Sequence, residues 1–176
     1  MTAVSFTNER LGPELASFHA LADRMAYAFG YTADLPIDRQ IAELVRLRVA
    51  QLTPCSYCLI LHTRVAVECG IDAAKVAHLP SWRESRMFSE AECAALAYCE
   101  ALTNYDLASF ARAHREMTKH YDVQEIAAFA AVVINMNVWT RLKLAEGAVP
   151  ALHPENSDDA VSTAAKVDHF QNQEHT

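Results

Sequence analysis

Cys55 and Cys58 stand three apart in TPCSYCLILHTRVA, residues 53–66, and His62 follows Cys58 four positions later. On a wheel of about 100° per residue, a helix over 54–69 puts Cys55, Cys58, Leu59, His62, Val65, Ala66 and Cys69 on one stripe. Tyr57, Arg64 and Glu68 fall opposite. Three chemistries suit such a pair. As small hydrophobes the cysteines would fill a core, which serves for Cys69, Cys93 and Cys99 but leaves the spacing and the histidine unexplained. As zinc ligands, Cys55, Cys58 and His62 need a fourth donor. Cys69 lies about 21 Å along the axis from Cys55, against Zn–ligand bonds of about 2.0–2.3 Å. No second CxxC exists, so no metal is expected. As a dithiol at a helix start, the pair can close a disulfide. The unpaired N–H groups and the dipole there favour a thiolate, and His62 can exchange its proton.

These residues need a scaffold, and almost every segment reads as helix. Pro13 opens one that stops at Gly30. Asp38 caps DRQIAELVRLRVAQL, and Thr53 is the expected cap of the cysteine helix, with Pro54 in its first turn and Gly70 at its end. Asp72 starts a short helix, and LPSWRES breaks the pattern. LASFARAHREMTKH forms another helix, and Ser89 with Glu92 and Asp122 with Glu125 make capping boxes for two more. Strand patterns are nearly absent, since AVVIN sits inside a long helical run. The usual CxxC scaffold needs a βαβ setting that this chain does not offer. The fold class is therefore all-α. Residues 1–150 form one helical domain, and 151–176 a polar tail in which AVSTAAKVDHF carries a short helical pattern.

A chain of 176 residues suits one domain with a real core. Its formal net charge of −7 argues against nucleic-acid binding through a basic face. The first residues lack the charged and apolar regions of a secretory leader. IAAFAAVVINMNVW, broken by Asn135 and Asn137, is too short and polar for a membrane span. A cytoplasmic location is expected. Five cysteines, an odd number, do not make a secreted disulfide framework. The helix over 122–145 is apolar on more than one face, which predicts a homo-oligomer.

The stretch ELVRLRVAQLTPCSYCLILHTRVAVECG resembles the AhpD-like branch of the carboxymuconolactone decarboxylase superfamily. Its pattern of Glu, eleven residues, then Cys-x-x-Cys-x-x-x-His is met by Glu43, Cys55, Cys58 and His62. LPSWRES and NVWTRLKLA are similar to the peroxidase-related subfamily. The resemblance implies an AhpD-like domain of about six to eight helices that assembles as a dimer, trimer or hexamer. It implies thiol-dependent reduction of a hydroperoxide with no haem, flavin or other cofactor, and an external dithiol as reductant. It also implies Cys58 as attacking thiolate, Cys55 as its disulfide partner, and His62 with Glu43 as proton relay. From the residues alone, Glu43 would pair with Arg39 or Arg46 at the surface, and placement at the helix start would favour Cys55 as nucleophile. Tyr57 stands where AhpD commonly has a histidine. The family's decarboxylases typically lack the cysteine pair.

The reading is a CxxC hydroperoxide reductase of antioxidant defence. Two other classes stay open: a lyase acting on a carboxylated lactone with His62 as base, and a non-enzymatic dithiol sensor. Other polar residues are assigned to structure. Arg48 suits a buried salt bridge, Asn135 and Asn137 interhelical hydrogen bonds, His114 and His120 the surface, and Trp82 and Trp139 packing.

Overall fold

The computed structural model describes residues 2–12 and 14–154. Pro13 and the helical pattern in AVSTAAKVDHF lie outside them. Among the described residues seven α-helices run in order: α1 Ala16–Phe29, α2 Arg39–Leu52, α3 Ser56–Glu68, α4 Ala73–His78, α5 Glu90–Thr103, α6 Leu107–Met117 and α7 Val123–Glu146. A 3-10 segment, Leu79–Glu84, links α4 to α5. Among the described residues the fold is all-α, with one small ribbon.

Local capping sets most helix starts. The Asp38 carboxylate accepts the N–H groups of Gln40 and Ile41. Ser89 with Glu92, and Asp122 with Glu125, form reciprocal capping boxes. Gly147 ends α7 in the left-handed region at φ 69°. Two starts differ from expectation. α1 begins at Ala16 with no side-chain cap. Thr53 does not cap the cysteine helix. It finishes α2, donating from Oγ1 to the Val49 carbonyl at 2.7 Å, and Cys55 is the cap of α3.

The ribbon pairs β1, Thr2–Asn8, antiparallel with β2, Ala148–Pro154. The boundary expected at 150/151 therefore falls inside β2. These strands join the two ends of the described chain, so no local pattern announces them. The ribbon lies over the start of α3: the Phe6 and Tyr57 rings meet edge to face at 4.8 Å, and Ser56 Oγ donates to the Ala148 carbonyl at 3.5 Å.

α2 is the central element. Ala42 to Leu47, Val49 and Ala50 are all buried, which places a helix at the middle of a fold rather than on its edge. On one side Val45 and Val49 pack with Tyr98, Met117, Phe129 and Met136, and with both cysteines. On the other, Leu44 and Leu47 meet Ala66, Leu79, Trp82 and Leu96. Fully burying a side chain such as Leu44 contributes about 1.5–3 kcal/mol.

α7, at 24 residues, is long and apolar enough to cross a membrane by length and composition alone. The expectation that this run is too short stopped at Trp139, seven residues before the helix ends. Here its apolar character has another use, because it packs against α1, α2 and α5 with Phe129, Val132, Val133 and Met136 in the core. Asn137 donates across to Thr103 of α5 at 3.4 Å. Arg48 makes a salt bridge with Glu100, which also accepts from Trp82 and pairs with Arg83. His114 and His120 are exposed.

Candidate active site

The turn between α2 and α3 brings the two sulfurs together. The Cys55 N–H still bonds back to the Ala50 carbonyl, while its side chain turns forward as the cap of α3. There Cys55 Sγ accepts the N–H of Cys58 at 3.3 Å. Both thiols are reduced, with Cys55 8% exposed and Cys58 2%.

This geometry separates the two sulfurs. Hydrogen bonds from the Cys58 thiol and the Cys58 N–H pull the Cys55 thiol below its ordinary value, against the opposing effect of burial. The same shared proton, with burial added, holds the Cys58 thiol well above the ordinary range. Burial also pushes the Tyr57 phenol up to about 12, so the ring between the cysteines stays neutral.

Behind Cys58 lies a buried polar chain. His62 is on the same face of α3, one turn further on. Its Nδ1 donates to Glu43 Oε1 of α2 at 2.5 Å. Glu43 Oε2 pairs with Arg46 Nη1 at 3.2 Å, and Arg46 Nη2 donates to the Phe29 and Gly30 carbonyls at 3.2 and 2.8 Å. Glu43 is 1% exposed and Arg46 2%, so the pair expected at the surface is in the interior. In a neutral imidazole this bond puts the proton on Nδ1 and leaves Nε2 as the acceptor. The Tyr31 ring stands edge-on to His62 at 6.0 Å. Among the described residues no hydrogen bond joins His62 directly to either sulfur.

The four residues expected to act together are thus neighbours around one helix start. The other three cysteines are elsewhere. Cys69 donates to the Ala66 carbonyl of its own helix, Cys93 sits near the Phe88 carbonyl, and Cys99 is buried against Val45.

Sequence reasoning missed a second charged group, in the last turn of α7. Lys143 Nζ lies 4.6 Å from the Tyr57 ring centroid and 2.8 Å from Glu146 Oε2. Glu146 is fully buried, and His19 Nδ1 of α1 approaches its other oxygen at 3.3 Å. A signal was available. An acid in the final turn of a helix opposes the dipole, so Glu146 needs cationic partners.

Residues 19–101 match the model of the carboxymuconolactone decarboxylase family. YdfG of Bacillus subtilis, itself uncharacterised, is 28% identical over 118 residues, 66% of this chain and 80% of YdfG. YnjA of Escherichia coli, also uncharacterised, is 26% identical over 110 residues, 62% of this chain, and the match spans only 60% of YnjA. Three solved structures share the fold. A protein of unknown function from Agrobacterium tumefaciens, ATU0492, linked to AhpD antioxidant defence, superposes with a TM-score of 0.65 at 19% identity over 82% of this chain and 92% of that one. A peroxidase-related protein from Silicibacter sp. TM1040 gives 0.63 at 16% over 78% and 70%. A cysteine-to-alanine variant of the debrominase Bmp8, bound to 2,3,4-tribromopyrrole, gives 0.62 at 20% over 91% and 78%. The family indicated by Glu43 and the cysteine helix is the one matched.

Proposed function

From a carboxymuconolactone decarboxylase-type domain that carries a buried CxxC pair, we propose a thiol-dependent hydroperoxide reductase of the AhpD type. The observation that carries this reading is the hydrogen bond from the Cys58 N–H to Cys55 Sγ, which favours the thiolate at Cys55. Cys55 attacks the terminal peroxide oxygen. An S–O bond forms, the O–O bond breaks, and the alkoxide leaves with a proton from solvent, giving a sulfenic acid on Cys55. Cys58 then attacks that sulfur. The S–S bond forms, the S–O bond breaks, and water leaves.

The second step needs the proton of Cys58, whose thiol is held high. His62, one turn away, takes that proton through water and returns it to the departing hydroxide. Glu43 orients the imidazole, and Arg46 anchors Glu43. An external dithiol resets the disulfide by exchange. The order is Cys55 first and Cys58 second, the reverse of what the family resemblance implies. Cys55 being both the cap and the less buried sulfur supports it. The working form is a homo-oligomer, for which Val123, Ile134 and Leu144 of α7 offer exposed apolar contacts.

A peroxidase assay coupled to oxidation of a dithiol, run across several dithiols and several hydroperoxides, tests the reading. Turnover is expected in wild type and none in Cys55→Ser. A single stoichiometric oxidation with every combination would instead mark a dithiol sensor.

One second substrate class has specific support. The fold match to the debrominase Bmp8 spans 91% of this chain, and the rings of Phe6, Tyr57 and Trp139 gather near the α3 start. A halogenated aromatic would take both electrons from the dithiol: C–H replaces C–Br, bromide leaves, and the disulfide forms. Release of bromide from 2,3,4-tribromopyrrole with a dithiol present tests it.

A further inference from the structure

Lys143 occupies a position that the thiol chemistry above does not use. Its side chain is largely buried. Its ammonium is held by the Glu146 carboxylate at 2.8 Å and lies over the rings of Tyr57 at 4.6 Å and Trp139 at 5.5 Å. Aromatic faces attract a cation without neutralising it. Tyr57 is one of the two residues between the cysteines, so the charge sits beside the helix start whose cap is Cys55. α3 turns Cys58 and Tyr57 toward that sulfur. α7 brings Lys143 and Glu146. α2 offers the Ala50 carbonyl, already taken by the Cys55 N–H, and the ribbon offers the Phe6 ring and the Ala148 carbonyl. Lys143 supplies the positive charge among these groups, and His19 of α1 approaches the other oxygen of Glu146 at 3.3 Å.

We propose that Lys143 is a positioning residue for the dithiol: its ammonium, shared between Glu146 and the start of α3, sets how readily Cys55 ionises, and Glu146 restrains it. The inference rests on the thiol reading above, and it adds a second charged group to the relay of His62 and Glu43. The attraction of Lys143 favours the thiolate at both sulfurs. In this role Lys143 acts as a charge and exchanges no proton with either sulfur. Removing it should move the ionisation of Cys55 to higher pH, with a loss of thiolate at neutral pH of about tenfold.

The test is alkylation of the full chain by iodoacetamide across pH, read at the Cys55 peptide by mass spectrometry. Lys143→Met should move the midpoint up and slow the neutral-pH rate about tenfold. Lys143→Arg should restore both. Glu146→Gln, which frees the ammonium, should move the midpoint down. An unchanged midpoint in a folded Lys143→Met protein overturns the proposal, even if thermal stability falls. Where that variant does not fold, wild type alone decides. Cys55 should prefer the anionic iodoacetate over iodoacetamide more strongly than free cysteine does, and added salt should weaken the preference. A preference no greater than that of free cysteine overturns the proposal. Peroxide turnover is not read in these experiments. A protein without peroxidase activity can still show the shift, and an active peroxidase without it refutes Lys143 alone.

Discussion

Glu43→Gln removes one charge from the interior and almost no volume. Glu43 is 1% exposed, and its Oε2 is 3.2 Å from Arg46 Nη1, itself on a side chain 2% exposed. Taking one partner from a buried ion pair costs about 3–5 kcal/mol, because the other charge is left without compensation. Two features place this site at the low end. Arg46 keeps its bonds to the Phe29 and Gly30 carbonyls, and glutamine retains an oxygen that can accept from it. The expected loss is about 3 kcal/mol. At about 2–4 °C per kcal/mol for a domain of this size, the melting temperature falls by about 6–12 °C. Urea unfolding followed by circular dichroism should show a lower midpoint with an unchanged slope. Arg46→Met should cost a similar amount, and the double variant should be more stable than the sum of the two losses predicts by about 1–3 kcal/mol. A loss below about 0.5 kcal/mol for Glu43→Gln, the size typical of an exposed pair, would refute the buried pair and the anchoring of His62 that depends on it.

His62→Ala should slow disulfide closure about 100-fold at neutral pH and less at high pH, where hydroxide can deprotonate Cys58; stopped-flow fluorescence after a peroxide pulse measures it. Cys58→Ser should let Cys55 oxidise once to a sulfenic acid, trapped by a dione reagent and seen by mass spectrometry, with no turnover. Glu100 is held below the usual carboxylate range: burial opposes this, but hydrogen bonds from Trp82 and Arg83 and the charges of Arg48 and Arg83 outweigh it. Its folded pKa lies below its unfolded one, so the stabilisation is complete above the unfolded value and is lost as pH falls through the folded one. Glu100→Gln should therefore cost about 1 kcal/mol near neutral pH, with the gap to wild type closing in acid, read from urea midpoints against pH. Gly147→Ala forces a Cβ into a left-handed residue and within 2.8 Å of Arg10 Nη1; it should cost about 1–2 kcal/mol by the same unfolding assay.

Features that act within one or two helical turns were legible in the sequence. Asp38, Ser89 and Asp122 marked helix starts because a cap bonds only two or three residues ahead. The inward face carrying Cys55, Cys58 and His62 followed from helical periodicity, and all three are buried. Glu43 drew notice through its fixed distance from the cysteines, but its residues alone suggested the surface. Only the packing of α2 amid α3, α5 and α7 put it inside, where His62 could meet it. Thr53 and Cys55 compete for one role at short range. The choice fell to Cys55 because Thr53 is still bonded to the last turn of α2. Lys143 is 85 residues beyond Cys58, and the ribbon joins residues 2–8 to 148–154. No local period links such partners. The sequence by itself determined a helical chain with a dithiol and a histidine on one face. How readily either sulfur ionises is a tertiary property, since a thiol's acidity depends on the N–H groups, charges and burial that the whole fold assembles around it.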